Sequence, residues 1–594
     1  MAAPPEIRLK RFLHYASEEG MYEARPRRHD DYVVTNLKCI TPLLTNDESG
    51  DSVILPTILK VYSDGTSITP TAVIFALAVC ATQTESEKLR ANTYKKVQEL
   101  SLNEEDLFNF VHFCYKLSTN KGGQGLRKTV IRWYKKKTPR ELAEIVAVKT
   151  KIHSLHHKDM IKLYHMKSED RAKQAIYSYL LLGLTKMEEA FKDAADTQEI
   201  LKYLKTIEKI KTTKDAAEFC DLIKKHAPKF PHQSMPPQFH QSAEVWSALF
   251  PTFSLDQVLS MTQQFFRSKL LKPSSPLSTL YIERISNEEI PSSSKIDPCK
   301  AYVELRTYEM LPRKKEYFKA LKKKSEEPPA SPIVVRHASE SSDNSSGWDG
   351  AAVPAVNPAA NPAAVVNSSI ADAASKKKED LYPTFKLNKK VVEALNKLVT
   401  RSFKSLKPTG LRFLIGVDTR NIMSNTMHVK CPFVKSMEAA SLLLLSFLNA
   451  EKDKNITVTS FIESGAANTS NYRIEEITGL SSNLSIAETA QVLAAKNGAP
   501  VNMLKFFDWA VAKKKEVDVF VLLSASSILP CDPFNAMVHY SNELNKENIK
   551  LITVSLNGMC SRPRKYFKKP NMLYVNGFDD KVWQVIEAFC RNTF

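Results

Sequence analysis

Most signatures of a reaction are missing from this chain. No phosphate-binding Gly-rich loop of the Walker type, no Gly-x-Ser-x-Gly elbow and no His-Glu-x-x-His helix occurs in its 594 residues. His157 and Asp159 stand close together, but His/Asp pairs arise too easily by chance to count as a catalytic pair. The nine cysteines are scattered, without a Cys-x-x-Cys pair or a nearby Cys/His quartet, so neither a structural zinc site nor a disulfide framework is supported. No apolar run, Leu442 to Leu448 among them, approaches the roughly 18 residues that span a bilayer. Met1 to Leu9 carries Pro4, Pro5 and Glu6 where a signal peptide would have its apolar stretch. These absences predict a reduced, intracellular protein with no membrane span, no cofactor and no enzymatic activity.

What is present is positive charge on ordered structure. The formal net charge is +19, and residues 101–167 hold 14 Lys/Arg against 6 Asp/Glu, so +8 of it falls there. Apolar residues recur between those charges at helical spacing, which places the charge on helices rather than on a tail. A folded basic surface suits a polyanion, because each neutralised phosphate releases condensed counterions. Within this stretch Arg127, Lys128 and Arg132 fall at helical spacing, and Lys158 and Lys162 lie one turn apart. Gly122, Gly123 and Gly125 either let a backbone approach a phosphate or end a helix.

The length exceeds what one core organises, so two or three domains are expected. Residues 1–324 read as helix after helix with little strand character, the pattern of an α-solenoid or a ring of helical hairpins. Pro70 leads a buried helix through Val79, and Leu107 to Leu117, Leu126 to Tyr134, Glu141 to Val148, Asp159 to Leu163 and Ala172 to Leu182 continue the series. Residues 325–380 are rich in Pro, Ser, Asn and Ala and read as a disordered linker, flanked by Lys322-Lys-Lys324 and Lys376-Lys-Lys378. Those lysine runs suit nuclear import or extra RNA contacts. From 381 to 594 strands alternate with helices: Leu411 to Asp418, Ile456 to Phe461, Asp518 to Leu523, Leu551 to Leu556 and Met572 to Val575. This predicts a doubly wound, mostly parallel α/β sheet, with Asp418 and Ser524 at the carboxyl ends of strands where ligands gather.

A basic helical half followed by an α/β half opening Phe413-Leu-Ile-Gly-Val-Asp418 resembles the Ro ribonucleoprotein family. Arg8-Leu-Lys-Arg-Phe-Leu-His-Tyr-Ala-Ser-Glu-Glu-Gly-Met-Tyr22 is similar to that family's opening block. Gly125-Leu-Arg-Lys128, His157-Lys-Asp159 with His165-Met-Lys167, Glu244-Val-Trp-Ser-Ala-Leu249 and Pro408-Thr-Gly-Leu-Arg-Phe-Leu414 follow in the expected order. The resemblance implies a TROVE module, a ring of HEAT-like helical repeats, followed by a von Willebrand A-type domain. It also implies RNA binding without catalysis. Structured Y-type RNAs would be held on the outer face of the ring, and single-stranded 3′ ends of misfolded small RNAs would enter its central hole. On that outer face it implies a key contact at His165, with Lys158, Lys162, Arg127 and Lys128 around it. In the preceding loop, shorter here than in the family, Lys149 and Lys151 keep the charge, while the family's arginine has no counterpart. Action in RNA quality control, in the cytoplasm and also in the nucleus, is the expectation that goes with it. The competing reading is a protein-interaction scaffold in which the solenoid and the A-type domain bind proteins without specific RNA.

The resemblance also implies a metal-ion-dependent adhesion site, built from Asp-x-Ser-x-Ser and a Thr and an Asp on two later loops. Here the first loop reads Asp418-Thr-Arg-Asn-Ile422, the second Asn497-Gly-Ala-Pro500 and the third Leu523-Ser-Ala-Ser526. Arg420, Ile422, Ala499 and Ala525 stand where oxygen ligands belong, which leaves Asp418 and Ser524 as remnants. The expectation is a lost metal site with Arg420 neutralising Asp418.

The linker composition generates a prediction of its own. Its few apolar residues cannot offset the entropy of ordering, so deleting about fifty residues between Ser325 and Asp380 should barely shift the melting temperature. A large drop in a thermal melt would show that the segment docks on the fold.

Overall fold

The computed structural model describes residues 3–100, 102–118, 123–147, 152–153, 155–226, 230, 232–313, 387–426, 431, 433–451, 455–463, 472–525, 533–558 and 568–594. The linker, its flanking lysine runs, Gly122, Lys149 and Lys151 lie outside the described residues.

The helical half is organised around Pro70–Thr82, whose residues from Ala72 to Ala81 are all buried. A helix apolar on every side has no solvent face to offer, so it becomes a hub. Pro5–Tyr15, Ile54–Asp64, Glu87–Glu99 and Glu104–Leu117 pack around it. Further helices follow in pairs to Pro298–Met310, and Lys389–Lys404 returns from beyond the linker to pack on Pro276–Asn287 and Pro298–Met310. Polar caps set many starts: Asn103, Ser254, Asp297 and Asn388 each accept a backbone N–H from the first turn of the helix they precede.

The α/β half contains a seven-stranded sheet of β1 (Met21–Glu23), β2 (Phe413–Val417), β3 (Ile456–Glu463), β4 (Tyr472–Glu476), β5 (Val519–Ser524), β6 (Lys550–Ser555) and β7 (Met572–Asn576). The order is β1-β7-β6-β5-β2-β3-β4, and every pairing is parallel except β3 with β4. Central strands are covered on both faces and therefore read as unbroken apolar runs. Alternation still divides them. Ile415, Val417, Val521 and Val554 join one core that runs on into the helical half, whereas Leu414, Phe520, Leu522 and Leu551 pack with Phe506, Phe507 and Tyr540 in a second, smaller core.

Five of the seven strands fall where the apolar runs place them. The outer two do not. β4 is a polar edge strand, Tyr-Arg-Ile-Glu-Glu, paired antiparallel with β3. β1 comes from the helical half, against the expectation of little strand character there. It pairs Met21 with Tyr574, Tyr22 with Val575 and Glu23 with Asn576. Around it, the Arg11 Nη2 donates to the carbonyls of Lys569 at 2.8 Å, Pro570 at 3.0 Å and Met572 at 3.3 Å. Tyr22 OH donates to Asp579 at 2.8 Å, and the Phe594 ring lies 5.0 Å from that of Tyr15 and 5.4 Å from that of His14. The far end of the helical run meets the same α/β half: Gln584 Nε2 donates to Asp297 Oδ2 at 2.8 Å, and Arg306 pairs with Glu438 at 3.5 Å. Both ends of the helical succession are thus seated on one sheet domain, a closed circuit.

That second seam buries carboxyl groups. Desolvation raises Asp297 to about 7 and Glu304 to about 7, with the Asp580 charge adding to both. Asp297 is titrated above its unfolded value, so the stability it contributes is full below about pH 4 and is lost as the pH rises through about 7. Asp297→Asn keeps the helix cap through its one oxygen and removes the ionisation, at the cost of the Gln584 Nε2 contact unless that amide turns its oxygen toward the new Nδ2. It should raise unfolding stability at pH 8 by roughly 1–2 kcal/mol and change little at pH 5. Denaturant titrations at the two pH values check this, and equal effects at both would refute it.

Candidate nucleic-acid interface

The basic residues marked out by the sequence meet on two neighbouring helices, Gly123–Lys136 and His157–Leu163. The second helix is short, and buried polar contacts hold it in place. His157 is almost completely buried, with Nδ1 2.6 Å from Tyr134 OH and Nε2 2.7 Å from Glu104 Oε1. Asp159 accepts the His156 N–H at 2.8 Å. His157 and Asp159 are therefore both spent on structure, and neither faces a site as a catalytic group.

The helix ends in a double hydrogen-bonded cap. The Met166 N–H reaches the Ile161 carbonyl at 3.1 Å and the His165 N–H reaches that of Lys162 at 3.2 Å, which leaves His165 in the left-handed region at φ 48°. Glycine is the usual occupant of that cap position, since a Cβ there costs roughly 1 kcal/mol. On either side Tyr164 and Met166 are buried, and Tyr164 OH lies 2.8 Å from Tyr115 OH. Two anchored neighbours thus hold the exposed His165 ring outward.

Arg127 joins the same surface from the longer helix, its Nε donating to the Tyr164 carbonyl at 3.4 Å. Arg127, Lys128, Arg132, Lys158, Lys162 and Lys167 are all exposed, and among the described residues none of them forms an ion pair. Nearby cations differ: Arg140 pairs with Glu144 at 2.9 Å and Lys116 lies 3.8 Å from Asp30. Lys149 and Lys151 fall outside the described residues, so the structure brings together five of the seven expected contacts. Gly125 has a role that was not foreseen. A Cβ there would stand 2.5 Å from the Tyr94 ring, so this glycine admits a neighbouring aromatic and neither approaches a phosphate nor ends a helix. The left-handed cap was also missed; the only hint is that Leu163-Tyr164-His165-Met166 ends a helix without a glycine.

In the α/β half, Asp418 is fully buried at the end of β2. Arg420 grips it with both arms, Nε to Oδ1 at 2.9 Å and Nη2 to Oδ2 at 2.7 Å, and Ser524 Oγ donates to Oδ2 at 2.9 Å. Hydrogen bonding to Asp418 raises the Arg420 guanidinium above its ordinary value. Ala499 and Ala525 are buried beside the loops and offer no side-chain oxygen. A Cβ on Gly498 would lie 2.5 Å from the Thr419–Arg420 backbone, so the second loop is pressed onto the first. Among the described residues this donor set does not fit an octahedral cation: Asp418 is the carboxylate at the site, a guanidinium already satisfies it, and the Thr419 hydroxyl is hydrogen-bonded to Ser460. Millimolar Mg²⁺, Mn²⁺ or chelator should leave the melting temperature unchanged. Arg420→Ala strands a buried carboxylate and should cost about 3 kcal/mol at neutral pH. Metal-dependent stabilisation of the unmodified protein would contradict this account.

Known proteins are similar to this chain. Residues 412–590 match the family model described as the Ro60 vWA domain. The chain is similar to the RNA-binding protein RO60 of Caenorhabditis elegans, with 20% identity over 655 residues, covering 98% of this chain and 87% of that one. Its fold is similar to the crystal structure of the Deinococcus radiodurans RO (RSR) protein at 18% identity and a TM-score of 0.71, covering 99% of this chain and 100% of that one. The A-type domain is thus matched by sequence as an Ro60 vWA domain, and the whole chain is similar to Ro proteins in order and fold.

Proposed function

We propose that this protein is a non-catalytic RNA-binding scaffold that holds small structured RNAs of the Y type on the surface formed by Gly123–Lys136 and His157–Leu163. The observation that carries this reading is the outward-held His165 ring, in a strained cap, amid exposed cations that no carboxylate neutralises among the described residues. A polyanion offers those cations what the protein does not, and an imidazole can stack on a base or donate to a phosphate. The curated relative's designation as an RNA-binding protein supports the same class of ligand. In this reading Lys149 and Lys151 extend the surface, and the closed helical circuit accepts single-stranded 3′ ends of misfolded small RNAs. The protein would then act in RNA quality control in the cytoplasm and the nucleus.

His165→Gly tests the contact without damaging the cap, because glycine adopts the left-handed conformation more readily than histidine. Combined with Lys158→Ala and Lys162→Ala, it should weaken binding of a Y-type RNA stem by about 10- to 100-fold and lower the slope of log affinity against log salt by about two units. Filter binding over a salt series, with a circular dichroism spectrum of each variant, gives both quantities. Unchanged affinity and slope in a folded triple variant would reject the assignment. A shallow slope in the unmodified protein would favour the protein-scaffold reading.

A further inference from the structure

Away from that surface, where Pro5–Tyr15 and β1 meet the turn before β7, lies a cavity of about 420 Å³. Its lining is cationic, with Arg8, Arg11, Arg25, Arg27, Lys38 and Lys568 contributing. Four acidic residues share the wall, Glu18, Glu19, Glu23 and Asp31, so six positive charges face four negative ones, an excess of two. Glu18 is held by Arg8 and by the Cys39 N–H at 2.7 Å. Glu23 and Asp31 each pair with Arg25 at 3.0 Å.

The remaining cations are poorly served. Arg27, Lys38 and Lys568 form no ion pair among the described residues. Arg11 is 1% exposed, and while its Nη2 meets three carbonyls, its Nε and Nη1 have no hydrogen-bond partner. Burial pulls both Arg11 and Arg27 below their ordinary values; for Arg27 the Arg25 charge adds to the fall, and the Glu23 and Asp31 charges do not offset it. A buried cation with unused donors is costly unless something anionic completes it.

We infer that this cavity is a binding site for a phosphate monoester, with Arg11, Arg27, Lys38 and Lys568 receiving its oxygens. A monoester carries close to two negative charges near neutral pH, which matches the excess in the lining, and its oxygens outnumber those of a carboxylate. The volume admits a group as large as a nucleoside monophosphate. The site is separate from the His165 surface and shares no residue with it.

The test is calorimetric titration of the full-length chain with inorganic phosphate, with adenosine monophosphate, and with a 5′-phosphorylated trinucleotide against its 5′-hydroxyl twin. At least one phosphate-bearing probe should bind saturably, and the 5′-hydroxyl twin should not. Arg27→Gln with Lys38→Gln, both on partly or fully exposed residues that the fold tolerates, should weaken binding at least about tenfold, whereas Lys158→Ala with Lys162→Ala should not alter it. Equal binding of the monophosphate and the trinucleotide would assign a free nucleotide as the source, and tighter binding of the trinucleotide would assign a nucleic-acid end. Absence of saturable binding by every phosphate-bearing probe would overturn the inference. So would binding that survives unchanged in the folded Arg27/Lys38 variant.

Discussion

The parallel pairing of Met21–Glu23 with Met572–Asn576 joins two segments separated by most of the chain, and the placement of everything between them depends on it. A strand of three residues has little stability alone. It holds because neighbouring contacts are made at the same time: the Arg11 guanidinium on three carbonyls before and at β7, the Tyr22 hydroxyl on Asp579, and the Phe594 ring between His14 and Phe589. Alternation completes the joint, since Met21 enters the smaller sheet core and Tyr22 the larger one. The pairing also shields β7 by ending the sheet in a very short edge strand, which gives an incoming chain little to pair with. With the far end fastened through Asp297, Gln584 and Arg306, the helices cannot splay without breaking a buried seam.

This constraint was the least legible part of the fold. The central strands declare themselves because burial on both faces demands continuous apolar sequence, as in Phe413-Leu-Ile-Gly-Val417 and Val519-Phe-Val-Leu-Leu523. The hub helix does so because it is apolar all round. β1 leaves no such trace. Its pairing partner lies over 500 residues away, and three residues cannot show a period. β4 is hidden for a different reason: one edge of it is free, so its sequence is as polar as a loop.

The candidate site divides in the same way. Which residues are cationic is written in the sequence, and helical spacing groups Arg127 with Lys128 and Lys158 with Lys162. Which cations remain unneutralised is not, because that depends on carboxylates brought from other helices, such as Glu144 beside Arg140. The conformation of His165 is equally hidden. Left-handed backbone at a non-glycine residue is a property of the cap, set by where Tyr164 and Met166 are buried. The Asp418–Arg420 pair was legible because both partners lie within one short loop, so chemistry and spacing sufficed.

Charge is therefore handled in opposite ways in the two halves. In the α/β half a guanidinium is built in where a divalent cation would otherwise be recruited, and the buried carboxylate is satisfied whatever ions the solution contains. On the helical surface Arg127, Lys128, Lys158 and Lys162 stand in water with no ion pair among the described residues, so their free energy depends on mobile counterions and on any polyanion that displaces them. Monovalent salt should then tune what the helical surface holds, while the Asp418–Arg420 pair, buried and internally satisfied, keeps its geometry. A binding surface that responds to salt on a frame that does not lets affinity change without a change of fold.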